Sequence, residues 1–272
     1  MIRRTTLALG ALTFIASVAS AQARTVTITA SDFKFDAPDS IAAGLTTFEL
    51  INKGTEMHHM QIIRLEQGKT MADVNAALQN PAAPPPAWVT LVGGPNGAVP
   101  HGPAVSVAVS LTPGQYVLLC FIPSPDGKPH VAKGMVRPLT VVGGASVAQA
   151  GLPKADNVMT LYDYNFDLDK PLTAGRRTIQ IRNTGKQFHE VFIAKLPTGT
   201  PVTAMMEWLS GGMKGPPPVL PVGGIVGITA GEVNFATVDL EPGEYGLYCF
   251  LVGPDGKEHV QHGMFKKITV GR

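Results

Sequence analysis

Two cysteines, Cys120 and Cys249, are all that this chain of 272 residues carries, so a framework stapled by several disulfides is excluded. Charge is sparse too: 15% of residues are Asp, Glu, Lys or Arg, with 22 basic against 20 acidic. No basic excess is present to hold a nucleic acid or an anionic membrane. The longest apolar stretch, Leu7 to Ala19, is too short to span a bilayer. No Gly-x-Ser-x-Gly elbow, phosphate loop or dinucleotide fingerprint occurs, which removes the enzyme classes built on them.

The apolar stretch has another reading. Arg3 and Arg4 precede it and Ala21-Gln-Ala23 follows it, the pattern of a secretory leader cleaved near Ala23. Residues 1–23 are expected to be removed and the mature chain to work in the periplasm or outside the cell. Without the leader, 20 basic residues balance 20 acidic ones, so charge offers no docking clue to a partner.

The rest of the chain repeats itself. Asp32-Phe-Lys-Phe-Asp36 returns as Asp163-Tyr-Asn-Phe-Asp167, and Asn52-Lys-Gly-Thr-Glu-Met-His58 as Asn183-Thr-Gly-Lys-Gln-Phe-His189, both at an offset of 131. Cys120, His130 and Met135 return as Cys249, His259 and Met264 at an offset of 129. The expected division is domain one over 24–143, a linker over 144–156 and domain two over 157–272. Equivalent cysteines in separate bodies are poorly placed for a bridge, which needs Cα atoms within about 7 Å. Two separate thiols are expected.

Within each unit the signals are mostly strand. Val26, Ile28 and Ala30 alternate with threonines, and further strands are expected over Phe48–Ile51, Met60–Leu65, Val105–Leu111, Gln115–Ile122, Val136–Val142 and Phe265–Val270. Thr112-Pro-Gly114 and Glu241-Pro-Gly243 read as tight turns. One short helix is expected per unit. Met71, Val74 and Leu78 form a stripe behind the capping box Thr70-x-x-Asp73. Val202, Met205, Met206 and Leu209 form another, with Thr200 as N-cap and Pro201 as first helical residue. The passages Pro84–Pro86 and Pro216–Pro218 read as extended. The expected fold is all-β: two tandem Greek-key sandwiches, each with one inserted helix.

Two imidazoles, a thiolate and a weak thioether form the ligand set of a blue-copper centre. The run Gly114-Gln-Tyr-Val-Leu-Leu-Cys120, through His130 to Gly134-Met135 and a last strand, resembles the C-terminal signature of the cupredoxins, particularly plastocyanin, azurin and rusticyanin. The resemblance spans nearly all of both repeats. It implies copper, one ion per repeat at most, held by His58, Cys120, His130 and Met135 and by His189, Cys249, His259 and Met264. One departure is plain: nine residues separate cysteine from histidine in each copy, more than is usual in that family. A hairpin excursion at Pro125-Asp-Gly127 and Pro254-Asp-Gly256 would bring the histidine back.

The resemblance implies one-electron transfer or copper handling, with a redox protein as partner. A metal-free sandwich serving as a binding module is the second reading. An enzyme is not expected. Multicopper oxidases need eight further histidines where this chain has 7 in all, and nitrite reductases need a Cys-His pair where Phe121 and Phe250 follow the cysteines. Outside the ligand sets stand His59, His101 and His262. His262, beside Met264, is a candidate extra ligand, and His59 a soft entry point for copper or a packed strand residue. Oligomeric state is not readable.

Overall fold

The structure, a computed structural model, describes residues 24–66, 68–80, 85–143 and 151–272. The leader, residues 144–150 of the expected linker and Pro84 lie outside the described residues. Among the described residues no helix is long and apolar enough to cross a membrane.

In the first half the elements are β1 (Arg24–Ser31), β2 (Lys34–Asp36), β3 (Ser40–Ala42), β4 (Gly44–Asn52), β5 (Gln61–Leu65), α1 (Met71–Ala77), β6 (Val89–Gly93), β7 (Val105–Leu111), β8 (Gly114–Leu119) and β9 (Val136–Val142). The second half repeats the order, without a partner for β3, as β10 (Asn157–Tyr162), β11 (Asn165–Leu168), β12 (Gly175–Asn183), β13 (His189–Leu196), α2 (Ala204–Ser210), β14 (Leu220–Ile228), β15 (Val233–Leu240), β16 (Gly243–Tyr248) and β17 (Phe265–Val270). The fold is all-β, as expected, with one short α-helix in each half.

The strands form two sheets, and both sheets run through both halves. One has the order β11-β10-β12-β15-β7-β4-β1-β2, the other β17-β16-β13-β14-β6-β5-β8-β9-β3. Each order is close to a palindrome, with its centre where one half meets the other. At the first seam Asn234, Phe235, Ala236 and Thr237 pair antiparallel with Val109, Ala108, Val107 and Ser106. At the second, Ile228 pairs with Val92, and the Val226 N–H donates to the Gly94 carbonyl at 3.0 Å. Two buried amides reinforce this seam: Gln61 Nε2 donates to the Gly227 carbonyl and Asn234 Nδ2 to the Val92 carbonyl, both at 3.0 Å. A strand edge left open would offer its N–H and C=O row to any other chain. Here the two halves cover each other's edges.

The main core is correspondingly continuous. Buried Phe48, Leu50, Val107 and Leu118 of the first half and Ile179, Ile181, Ile225 and Leu247 of the second belong to one cluster. Each helix covers its own smaller cluster, α1 through Val74 and α2 through Met205. The proline-glycine turns are closed by buried tyrosines: the Tyr116 hydroxyl donates to the Thr112 carbonyl at 2.8 Å, and that of Tyr245 to the Glu241 carbonyl at 2.9 Å.

Two local expectations need correction. The strand expected to reach Ile122 ends at Leu119, because the Cys120 and Ile122 carbonyls accept from Val131 and His130 at 2.7 and 2.9 Å instead of from a neighbouring strand. The second helix starts at Ala204, not at Pro201. A turn from the Pro201 carbonyl to the Ala204 N–H comes first, and Thr203 is the N-cap. The first helix keeps its capping box, with the Thr70 N–H donating to Asp73 Oδ2 at 2.9 Å.

Shared sheets and a shared core predict one cooperative unfolding unit. Trp88 and Trp208 lie in different halves and are the two tryptophans of the chain. In single-tryptophan variants Trp88→Phe and Trp208→Phe, denaturant transitions followed by the remaining tryptophan should superimpose. Separate midpoints would show that the halves unfold independently.

Candidate metal centres

Each half gathers its two histidines and its cysteine. His58, Cys120 and His130 form one group, and His189, Cys249 and His259 the other; the ligating atoms lie within 4.8 Å of one another and all six residues are buried. Both thiols are free.

The histidine before β5 is placed by an asparagine turn. Asn52 Oδ1 accepts the Gly54 N–H at 2.8 Å, while its Nδ2 donates to the carbonyls of Glu56 and Ala98, each at 2.8 Å. Asn183 does the same with Gly185, Gln187 and Ile228 at 2.7 to 2.9 Å. Gly54 is needed because a Cβ there would stand 2.2 Å from Asp32 Oδ1 and 2.9 Å from His58 Nε2. Gly185 meets the same limits, 2.5 Å from Asp163 Oδ1 and 2.7 Å from His189 Nε2.

The cysteine stands just past β8 or β16, and the long loop after it is a hairpin excursion. Ser124 N–H donates to the Lys128 carbonyl at 2.9 Å, with Gly127 at φ 77° in the turn, and Pro123 bridges to Pro129. Gly253, Lys257 and Gly256 repeat the arrangement. The chain then enters a single 3-10 turn, His130–Lys133 or His259–His262, ended by Gly134 or Gly263 in the left-handed region. His130 thus returns to within 3.4 Å of the Cys120 thiol, and His259 to within 3.3 Å of that of Cys249. Met135 is fully buried, its N–H donating to the His130 carbonyl at 3.0 Å and its carbonyl accepting from Cys120 at 3.3 Å. Met264 makes the equivalent bonds to His259 and Cys249 at 2.9 and 3.2 Å.

The outer ring nitrogens fix the chemistry of the inner ones. His58 Nε2 lies 3.0 Å from Asp32 Oδ1, and His130 Nε2 lies 2.9 Å from Glu56 Oε2. Both facing atoms are carboxylate oxygens, so in neutral rings Nε2 carries the hydrogen and Nδ1 the lone pair. Yet the two Nδ1 atoms are 3.0 Å apart. Two acceptors at that distance repel, and the Cys120 S–H can donate to only one of them. In the second half the Nδ1 atoms of His189 and His259 are 3.1 Å apart, with Nε2 held by Asp163 Oδ1 at 2.6 Å and Gln187 Oε1 at 3.1 Å. A cation bonded at about 2.0–2.3 Å to two nitrogens and a sulfur fits separations of this size.

Electrostatics point the same way. Burial, opposed by Asp32 and reinforced by His130, keeps His58 below the ordinary histidine range. Burial, opposed by Asp163, does so for His189, and burial with His189 beside it pushes His259 down to about 4. Burial works against the Asp32 charge too, but the Thr55 hydroxyl, the Thr55 and Glu56 N–H groups and His58 outweigh it and hold this carboxyl far below its usual range. The thiols are pushed up by burial, Cys120 to about 12 and Cys249 well above its normal value. Neutral imidazoles are ready donors, whereas each thiol needs a bound cation to lose its proton near neutrality.

Sequence reasoning named the ligand atoms but not the residues that aim them. Asp32, Glu56, Asp163 and Gln187 emerged only with the structure. His59 and Glu190, equivalent by position, each accept the N–H of the residue after the cysteine: Phe121 to His59 Nε2 at 2.8 Å and Phe250 to Glu190 Oε1 at 2.9 Å. Burial keeps His59 at about 3 and raises Glu190 to about 7. His262 is not brought into its group. Its ring stacks on Tyr164 at 4.6 Å and its Nε2 lies 3.0 Å from Asp255.

The fold is all-β, and each half closes one buried His–Cys–His group at equivalent positions of the repeat. No protein-family model matches the sequence, and no curated protein does. Among solved structures, the chain is similar to a dithionite-reduced auracyanin from Roseiflexus castenholzii at 24% identity over 44% of this chain and 98% of that one, with a TM-score of 0.29. Auracyanin A from Chloroflexus aurantiacus shares 23% over 43% and 99%, TM-score 0.29. A copper nitrite reductase from Nitrosomonas europaea shares 15% over 92% and 95%, TM-score 0.28. At these levels the reading of the site rests on the chain's own geometry.

A group whose folded pKa lies below its free value stays unprotonated in the window between the two. In metal-free protein at pH 6, imidazole 15N shifts of His59 and His259 should therefore report neutral rings, with His259 half-protonated only near pH 4. A cationic His259 ring at pH 6 would contradict the desolvated site.

Proposed function

We propose that the chain is an exported copper protein with one type 1 site per half, serving one-electron transfer or copper handling with a redox protein as partner. The opposed Nδ1 pair carries this reading, since in both halves buried lone pairs converge on one point beside a thiol. His58, Cys120, His130 and Met135 would hold one ion, and His189, Cys249, His259 and Met264 the other, within units 24–143 and 157–272 joined by 144–156. Cleavage near Ala23 would deliver the chain to the periplasm or the exterior.

Bound copper would supply a one-electron couple between Cu(I) and Cu(II), with soft thiolate and thioether ligands favouring the reduced ion. The chain's own residues do the rest. Asp32, Glu56, Asp163 and Gln187 orient the rings. The His59 and Glu190 N–H groups point at the sulfurs at 3.5 and 3.4 Å and stabilise thiolate charge. Phe33 and Tyr164 pack on His130 and His259 at 4.9 and 5.0 Å and limit water access. The reading as a carrier rather than an enzyme rests on the histidines, four of the 7 being committed to these two groups.

Titration of the mature protein with Cu(II) should develop an intense thiolate-to-copper absorption band. Cys120→Ser and Cys249→Ser should each remove one site's share of it, and the double variant all of it. No band and no copper retained after desalting would overturn the assignment.

The two sites should differ. In the first, both imidazole N–H groups meet carboxylates; in the second, one meets the neutral Gln187. A carboxylate partner raises imidazole basicity and favours Cu(II). Gln187→Glu should lower the second site's reduction potential and Glu56→Gln raise the first site's. The shift is about 59 mV for each tenfold change in relative Cu(II) affinity. Potentiometric titration of each variant measures it, and unchanged potentials would remove these side chains from the tuning.

A further inference from the structure

Between the two halves lies a cleft of about 980 Å³, lined by none of the candidate ligands but reached by Glu56, His59 and Glu190, which contact them. Its walls are aromatic: Trp88, Phe121, Phe188, Phe192, Trp208 and Phe250 all line it. The volume is at the upper end of small-molecule sites, roughly 300–1,000 Å³, too large for a single ring to fill. Aromatic walls favour flat rings presented edge-on or offset.

Two of the polar groups on the cleft wall come from equivalent positions of the repeat. His59 and Glu190 both line it, and each spends one atom on a phenylalanine N–H. Because His59 Nε2 accepts from Phe121, its ring must carry hydrogen on Nδ1, and no protein acceptor meets that nitrogen among the described residues. Glu190 Oε1 accepts from Phe250, while Oε2 is met by Asn96 Nδ2 at 3.4 Å only. Glu190 is 5% exposed, and above pH 7, where it is ionised, the long Asn96 contact leaves Oε2 free to accept a further hydrogen bond. Among the polar side chains that line the cleft, His59 and Glu190 thus present a donor and an acceptor at equivalent positions of the repeat.

We infer that this cleft is a binding site for a hydroxylated aromatic compound of two or more rings, one hydroxyl donating to Glu190 and another oxygen accepting from His59. The site belongs to the polypeptide and does not depend on the copper reading. A ring bound there lies against Phe121 and Phe250, the residues that follow the two cysteines.

The probes are 4,4′-dihydroxybiphenyl and 4,4′-dimethoxybiphenyl, which share the biphenyl frame and two acceptor oxygens while only the first can donate. Both are titrated into metal-free protein by calorimetry, with tryptophan emission followed in parallel, since Trp88 and Trp208 report only on this cleft. The dihydroxy compound should bind saturably with a change in emission, and the dimethoxy compound about fivefold more weakly, the factor of one net hydrogen bond. In Glu190→Gln, which keeps an acceptor for Phe250, the difference should shrink to within about twofold. The proposal is overturned if neither probe binds, if both bind equally to the unaltered protein, or if binding leaves the tryptophans unchanged. The comparison of the two probes on the unaltered protein decides the matter even if the variant does not fold.

Discussion

Everything at each centre follows from two imidazoles held with their lone pairs facing. Left alone, a buried Nδ1 pair at 3.0 Å would relax by a ring flip or a change of tautomer. Neither is open here. The Nε2 side of each ring of the first half is bonded to a carboxylate, itself fixed by backbone N–H groups in the case of Asp32. Gly54 lets that carboxylate approach, and Asn52 holds the turn carrying Gly54. Repulsion between lone pairs is thus built in by contacts farther out, the usual division of labour between metal ligands and the groups that orient them. The same burial that lowers His58, His189 and His259 raises both thiols, so a cation entering either site must displace a proton from sulfur.

The second constraint is the strand edge. Each half alone would leave β6 and β7, or β14 and β15, as open edges of its sheets. Duplication resolves this by pairing each with its counterpart, which makes both sheets near-palindromes and merges the cores. The same seam creates the aromatic cleft, which Leu78 and Trp88 line from the first half and Trp208 and Leu209 from the second. The cleft is therefore a property of the pair, with no equivalent in a single unit.

The His–Cys–His groups that the structure brings together were legible in the sequence as a repeated spacing, Cys, nine residues and His, twice over. Strand limits were legible where alternation ran uninterrupted, as in Val105–Leu111. Less was legible where long-range contacts decide. Asp32 and Asp163 stood out as repeated residues, but their bond to a histidine 26 positions away leaves no periodic trace. The same holds for Glu56, 74 positions from His130. The continuity of the sheets was equally hidden, since alternation reports which face is buried and says nothing of which strand lies alongside. The late start of α2 reflects a local competition: the Pro201–Ala204 turn satisfies the first donor before an α-helix begins.

Comparing the halves separates what geometry demands from what it leaves open. At the ligand positions the two copies are identical in residue type. Around them they differ in kind: Glu56 against Gln187, His59 against Glu190, Lys133 against His262. Each of the first two positions asks only for an acceptor, for a histidine Nε2–H in one case and a phenylalanine N–H in the other. A carboxylate, an amide oxygen or an imidazole nitrogen meets that demand with the same hydrogen bond but with different charge. Glu56 brings a carboxylate to the first site where Gln187 brings none to the second, and Glu190 places a carboxyl beside Cys249 where His59 places a neutral ring beside Cys120. The scaffold thus repeats its distances to within about 0.1 Å between the Nδ1 pairs, at 3.0 and 3.1 Å, while the field around them is distributed differently. Hydrogen-bond geometry sets the shape of both centres, and the charge of the acceptor is the variable left free to make one site unlike the other.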